Sequence, residues 1–387
     1  MQDLTVVING GGMVGAASAL AFAKAGACVK LFESNPPSLD NQGNNWDLRI
    51  SSVNAANWQW LLSLGIHGVI DPGKVKDYQR LTVTTQSGQS LTFDASEVGL
   101  TSLGVMVENN ALQSSLWQCL RDYDNVDFVT EQRIDSLDSQ QKTVRLTNNE
   151  LIPFDLLLGC DGANSIIAKL SSIGYRGWDY DQRCLLANVE LEQPIEPETW
   201  EVFRPQGPYA LLPLSDTKAC LIDYDERAII RALQHDESTL QKHLYSVFEP
   251  RVGKFRVIKA ASFPLQRKHA LNYTFNGCIA LLGDSAHSIH PMAGQGVNLG
   301  FADIQCLLNE LSDKPVAQAL NVYEKQRKFE NAKMMRLMDL LQVSWRSTHP
   351  LARLIADVSL NAAKVPLLKS FFIKQAIGDS VSMRKLD

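Results

Sequence analysis

Two histidines three apart, His287 and His290, lie in the stretch Gly283-Asp-Ser-Ala-His-Ser-Ile-His-Pro-Met-Ala-Gly-Gln-Gly-Val-Asn-Leu-Gly300. Such a pair can ligate a metal. No further ligand set accompanies them, so no metal is expected, and packing with hydrogen bonding beside a bound group is the better reading. An apolar run, Cys278 to Leu282, reads as a short buried strand feeding Gly283-Asp284. Asp284 then stands where strand gives way to loop, the position at which α/β sheets bind ligands. Pro291, Gly294 and Gly296 break regular structure. From Val297 and Asn298 the pattern turns helical, with Leu299, Ile304, Leu307, Leu308 and Leu311 as the apolar set. The loop therefore aims backbone N–H groups and a helix N-terminus at something electron-rich. Taken alone, the stretch is equally an ordinary Gly-rich turn from strand to helix.

A second bend shifts that balance. Leu4 to Ile8 is a buried-strand run ending at Asn9-Gly10-Gly11-Gly12-Met13-Val14-Gly15, followed by the Ala-rich Ala16 to Lys24 and a strand, Cys28 to Phe32, closed by Glu33. Gly10, Gly12 and Gly15 fit G-x-G-x-x-G, and Glu33 follows Gly10 by 23 residues. Gly10 allows the tight turn, Gly12 lets backbone approach a pyrophosphate, and Gly15 lets helix and strand pack. The Glu33 carboxylate accepts from a ribose 2′-hydroxyl. An acid there suits FAD or NAD(H) rather than NADP.

The elements that must position these bends follow from the rest of the chain. A helix is expected from Ser52 to Leu64 after Asp47-Leu48-Arg49, leaving Arg49 as either a solvated arginine or a cofactor contact. Leu81 to Thr85 and Ser90 to Phe93 read as a hairpin, and Ala111 to Leu120 as a helix. Strands are expected at Val126 to Val129, Thr143 to Leu146 and Asp155 to Gly159, the last ending in Asp161-Gly162-Ala163-Asn164-Ser165, a second acid at a strand end. From Arg183 to Phe263 short alternating strands (Leu185 to Leu191, Thr199 to Phe203, Tyr209 to Leu214, Ala219 to Tyr224) surround one helix near Ser238 to Phe248, the wall of a substrate pocket. Pro315 to Met338 is one long helix, and Leu351 to Ala362 and Leu367 to Ile377 give further apolar helices, for core, dimer packing or a greasy contact.

At 387 residues the chain holds about two domains. A net charge of −5 gives no electrostatic case for nucleic acid. Seven scattered cysteines with no Cys-x-x-Cys pair suit buried thiols in a reducing compartment. The chain opens on a strand without a basic leader, and no apolar run approaches a membrane span, so a cytoplasmic protein is expected.

Three signals together resemble the class A flavoprotein aromatic hydroxylases: Gly10 to Gly15 with Glu33; Asp161 to Ser165; and Gly283-Asp284 through Gly300. Further phrases resemble the ubiquinone-biosynthesis hydroxylases among them, including Asp47-Leu-Arg49, Leu112-Gln113, Trp178-Asp179-Tyr180, Ser262-Phe-Pro-Leu265 and Tyr323 with Arg327. The sub-type hydroxylating 3-demethoxyubiquinol is nearest, through Phe263-Pro-Leu265 and His269-Ala270. Three positions depart from the family pattern. Ala168 and Asn110 stand where arginines are usual, and Gly-Asp-Ser285-Ala-His replaces Gly-Asp-Ala-Ala-His.

The resemblance implies a p-hydroxybenzoate hydroxylase-type α/β fold. A discontinuous Rossmann-like FAD-binding domain (1–76, 99–177 and 276–345) would be interleaved with a mostly antiparallel β-sheet substrate domain (77–98 and 178–275), followed by C-terminal helices (346–387). FAD would be held by Gly10, Gly12, Gly15, Glu33, Arg49, Gln113, Asp161, Gly283, Asp284, Gly294, Gly296, Val297 and Asn298, with His287, Pro291 and Gln295 around its ring. NAD(P)H would reduce it, and a flavin C4a-hydroperoxide formed with O2 would hydroxylate a polyprenylated phenol or quinol. The implied partners are other ubiquinone-biosynthesis proteins, a second copy of the chain and the face of the inner membrane. The alternatives are a hydroxylase of a small soluble aromatic and a non-catalytic flavin-site subunit of a biosynthetic complex.

Overall fold

The computed structural model describes residues 1–38, 46–290, 294 and 296–346, the last six of these by backbone alone, and beyond them only positions 369, 377 and 378. Pro291, Gln295 and the helices expected across 347–387 lie outside the described residues.

The nucleotide half is built on a six-stranded sheet in the order Thr274–Phe275, Ile279–Leu281, Leu156–Gly159, Thr5–Asn9, Cys28–Phe32, Val126–Val129. The last five run parallel and the first is antiparallel to its neighbour. Val6, Val7, Ile8, Leu156, Leu157 and Leu158 are wholly buried, as strands covered on both faces require. Strand order reverses beside Thr5–Asn9, with Cys28–Phe32 on one side and Leu156–Gly159 on the other. A crevice therefore opens at their carboxyl ends. The helix Met13–Lys24 buries every residue from Gly15 to Ala23. Its small side chains let it pack between the helices Asn109–Leu120 and Gly296–Leu311.

An eight-stranded sheet forms the other half, in the order His287–Ser288, Phe255–Ala270, Tyr175–Leu191, Lys218–Glu226, Tyr209–Pro213, Glu198–Val202, Arg80–Thr84, Ser90–Asp94. All neighbours are antiparallel except Glu198–Val202 beside Arg80–Thr84. The expected strand at Leu185 is the end of one 17-residue strand, and its 16-residue partner Phe255–Ala270 was not legible as a strand. Pro264 lacks an N–H and sits beside a register shift between Asp179 and Arg183, where a proline is tolerated. The two-residue strand His287–Ser288 joins the loop after Gly283 to this sheet, His287 opposite His269 and Ser288 opposite Lys268.

The helix expected from Ser52 begins later. Ile50–Asn54 pairs with Gly104–Glu108, and the helix Ala55–Ser63 starts where the Asn54 side chain accepts from Asn57 N at 2.9 Å. A helix at Arg227–Leu233 went unread. Glu237–Val252 and Val316–Arg346 run longer than expected, the latter over 31 residues.

Asn298 joins these pieces. Its amide donates to Ser52 O (2.8 Å) and Gly294 O (3.1 Å), and its oxygen accepts from Asn54 N (3.0 Å) and Asn57 Nδ2 (3.1 Å). Asn298→Ala strands buried donors and acceptors at about 1–3 kcal/mol each. The expected loss is about 2–4 kcal/mol of unfolding free energy in a urea titration; a loss below about 1 kcal/mol would show that water replaces the clamp.

Candidate active site

The first bend is locked from behind. Gly10 has φ +104°, and a Cβ on it would lie 2.4 Å from Cys160 O; one on Gly15 would lie 1.7 Å from Gly10 O. A Cβ on Gly12 would meet nothing within 4 Å, because that position faces the cavity. Glu33 accepts from Gly11 N and Asn35 N, both at 2.8 Å, so the carboxylate buttresses the turn as well as closing the strand. Gly11 O in turn receives Gln113 Nε2 and Trp117 Nε1, both at 2.8 Å. Gly11 itself went unread: its Cβ would press on Trp117 at 2.6 Å and Glu33 at 2.8 Å.

Asp161 closes the neighbouring strand. One oxygen accepts from Asn9 Nδ2 (2.9 Å), Ile166 N (2.6 Å) and Ile167 N (3.3 Å), which caps the helix Ile166–Leu170. Arg49 donates to Asn110 Oδ1 at 3.4 Å, so the asparagine in place of an arginine holds a neighbouring one. Ala168 is fully buried in the core. Ser285 is explained too. Its hydroxyl sits against Gly159 O and Leu282 O and accepts from Leu282 N at 3.1 Å, fastening Gly283 to the next strand.

One cavity of about 1020 Å³ connects these parts. Gly10, Gly12, Glu33, Arg49, Gln113 and Asp161 line its nucleotide end, and Gly283, Asp284, Gly294, Gly296 and Val297 line it further along. The remainder is an arm between the sheets walled by Tyr78, Leu81, Met106, Leu186, Leu212 and Ile222. Gly15, His287 and Asn298 stand behind the lining. The Asp284 side chain reaches into the cavity. The protein packed around it raises its carboxyl above the ordinary range, and His287 partly opposes this.

His287 is fully buried, with Nε2 2.6 Å from Asp303 Oδ2. Asp303 also accepts from Gly283 N (3.0 Å), Arg327 Nε (2.7 Å) and Asn331 Nδ2 (3.2 Å). Burial alone would raise this carboxyl; His287 and Arg327 outweigh it and hold it at about 2. His290 packs edge-on to Tyr180, at 5.1 Å between ring centres, and beside Tyr224 at 5.2 Å. Asp303 was missed in the sequence, although it left a signal: it is a carboxylate at i+4 between Leu299 and Leu307, on the apolar face of its helix.

The FAD binding domain family matches residues 3–337. The chain is 36% identical over 392 residues to the 3-demethoxyubiquinol 3-hydroxylase of Escherichia coli strain K12, covering 97% of this chain and 99% of that protein. The chain belongs to this family. It is an FAD-dependent monooxygenase of the ubiquinone-hydroxylase type, as the motifs led one to expect. It is also 29% identical to the mitochondrial ubiquinone biosynthesis monooxygenase COQ6 of Xenopus tropicalis, over 92% of this chain and 89% of that one. Among solved structures, the p-nitrophenol 4-monooxygenase of Pseudomonas putida DLL-E4 superposes with a TM-score of 0.78 at 17% identity, covering 96% and 98% of the two chains. That likeness carries the p-hydroxybenzoate hydroxylase-type fold.

The residues present fit FAD. Gly12 leaves a cradle that any side chain would fill. The helices Met13–Lys24 and Gly296–Leu311 begin at the cavity with no acid in their first turns, so their positive ends stay uncompensated. Glu33 keeps lone pairs beyond the two in use. Among the described residues no cluster of His, Cys, Asp and Glu is placed to hold a metal.

The glycines separate folding from binding. Gly12→Val should leave the thermal unfolding of the apoprotein nearly unchanged while abolishing FAD retention, whereas Gly15→Ala should prevent folding. Equal flavin content in Gly12→Val and wild type refutes this site. For Asp303 the folded pKa lies below the unfolded one, so its contribution is complete above the ordinary carboxylate range and is lost as pH falls toward 2. Asp303→Asn leaves the buried Arg327 guanidinium without its counterion and should cost about 3–5 kcal/mol at neutral pH. Urea titration at pH 7 reads that difference, and a cost under about 1 kcal/mol would mean the network relaxes around the amide.

Proposed function

We propose that this monooxygenase hydroxylates the aromatic ring of a polyprenylated phenol or quinol on the route to ubiquinone, with O2 as co-substrate and NAD(P)H as electron donor. The observation carrying this reading is the single cavity that runs from the glycine turn at Gly12 past Asp284 into the apolar arm between the sheets. When bound, FAD supplies the redox chemistry and the activation of dioxygen. Gly10 to Met13 would receive its pyrophosphate and Glu33 a ribose hydroxyl, while Asp284 and the segment from Gly294 to Val297 would hold the portion toward the arm. Tyr78, Leu81 and Met106 keep water from the reacting ring. His287 acts at one remove, holding Gly283 and Asp284 in place through Asp303.

The volume and apolar lining of the arm favour a large greasy substrate over a small polar one. The relative named for 3-demethoxyubiquinol supports the last ring hydroxylation. No helix among the described residues is long and apolar enough to cross a membrane. On this reading a prenylated substrate is met at the inner membrane, through peripheral contact, a biosynthetic complex or a second copy of the chain. Quinone profiling by mass spectrometry in a strain lacking the gene tests the reading. Accumulation of a prenylated ring one hydroxyl short of the next intermediate is expected, and an unchanged quinone profile would overturn it.

A further inference from the structure

A small sheet of three antiparallel strands runs in the order Ile50–Asn54, Gly104–Glu108, Val75–Tyr78. Tyr78 stands opposite Gly104 on the middle strand, and Gly104 stands opposite Asn54 on the far one. The tyrosine hydroxyl reaches across that glycine: a Cβ on Gly104 would lie 3.0 Å from Tyr78 Oη. On the far strand it meets Ser52, whose hydroxyl donates to Tyr78 Oη at 3.2 Å. Ser52 is also the seat of the loop after Gly283, since a Cβ on Gly294 would lie 2.8 Å from Ser52 Cβ. Tyr78 and Ser52 both line the cavity, as do Leu81 and Met106. The hydroxyl thus stands where the segment from Gly294 meets the arm.

Tyr78 is 7% exposed. Burial pushes its phenol above the ordinary range, with Ser52 opposing in part, so it keeps its proton at neutral pH. That proton is not spent on Ser52, because the serine is the donor of the pair. No other group among the described residues accepts it. The second tyrosine on the cavity wall, Tyr224, is bonded to Cys184 instead. A buried donor without an acceptor costs free energy, which an oxygen on a ligand recovers.

We propose that Tyr78 determines specificity by donating its hydroxyl proton to an oxygen carried on the substrate's ring, at the end of the arm nearest the FAD. This rests on the reading of the arm as the aromatic's site. Aliphatic walls hold a ring by shape, and a ring can turn within them. One donor at a fixed place distinguishes the orientations and so sets which ring carbon faces the cofactor. An analogue with a methylene in place of the oxygen is rejected, because the buried donor is then left unpaired.

The test compares an isoprenyl-bearing methoxybenzene with the ethylbenzene in which a methylene replaces the ether oxygen, by calorimetric titration of the FAD-loaded protein. Neither compound can donate, so the pair reads a donor on the protein alone. The wild type should bind the ether about 5- to 20-fold more tightly. Tyr78→Phe keeps the ring in its groove and should bring that ratio close to one, while leaving the ethyl compound's affinity and the flavin content as they were. Ser52→Ala leaves the phenol in place and should keep the preference, and it decides the matter if Tyr78→Phe fails to fold. A preference that emerges only in Ser52→Ala would show that the proton was spent on the serine. That result, a ratio unmoved by Tyr78→Phe, or a wild type that binds both compounds equally, overturns the assignment of Tyr78 alone. If neither compound binds, or if Leu186→Trp does not displace them, the arm is not the aromatic's site and both readings fall.

Discussion

A buried carboxylate, Asp303, is the most heavily bonded of the ties that hold the loop after Gly283 to the rest of the molecule. Asp303 takes donors from four places: the backbone of Gly283, the ring of His287, the guanidinium of Arg327 and the amide of Asn331. A charge so deep is tolerated only when its partners are equally fixed, because either partner alone would be an uncompensated ion in a low-dielectric interior. The strand end that presents Asp284, the helix Gly296–Leu311 and the long helix Val316–Arg346 are therefore fastened at one point. Tyr323 adds to the same junction through its hydroxyl on Leu281 O at 2.7 Å.

That fastening lets two sheets of different character share a cavity. The parallel sheet ends its strands at the crevice, where Gly10, Asp161 and Gly283 turn away from it. The antiparallel sheet offers a face, and His287–Ser288 ties the loop to its edge. Uncompensated helix ends meet the cavity on the nucleotide side, and aliphatic side chains meet it on the other. A dinucleotide with a large negative portion and a greasy aromatic can thus lie in one continuous space. Asp284 stands exposed on the cavity wall where the two halves meet.

The amino-acid sequence by itself determined the nucleotide half. Glycine at 10, 12 and 15 and the acid at 33 act over a short stretch, within which local geometry leaves few choices, and the apolar runs around them demand buried parallel strands. The loop from Gly283 was legible for the same reason, and so was membership of the ubiquinone-hydroxylase group. What only the tertiary structure decided depends on residues far apart. Asp303 looked like one charge in an apolar stripe until Arg327 and His287 were brought to it. The 16-residue strand Phe255–Ala270 is half solvent-facing and carries Pro264, so no period of alternation marked it; pairing with Tyr175–Leu191 makes it a strand. Glu201 alternates with Trp200 and Val202 like any sheet residue, and pairing with Ala210, itself paired with Ile222, sets it beside aliphatic side chains on the cavity wall. Local rules suffice where one turn or one strand does the work, and long-range pairing must be seen where a charge finds its partners across the fold.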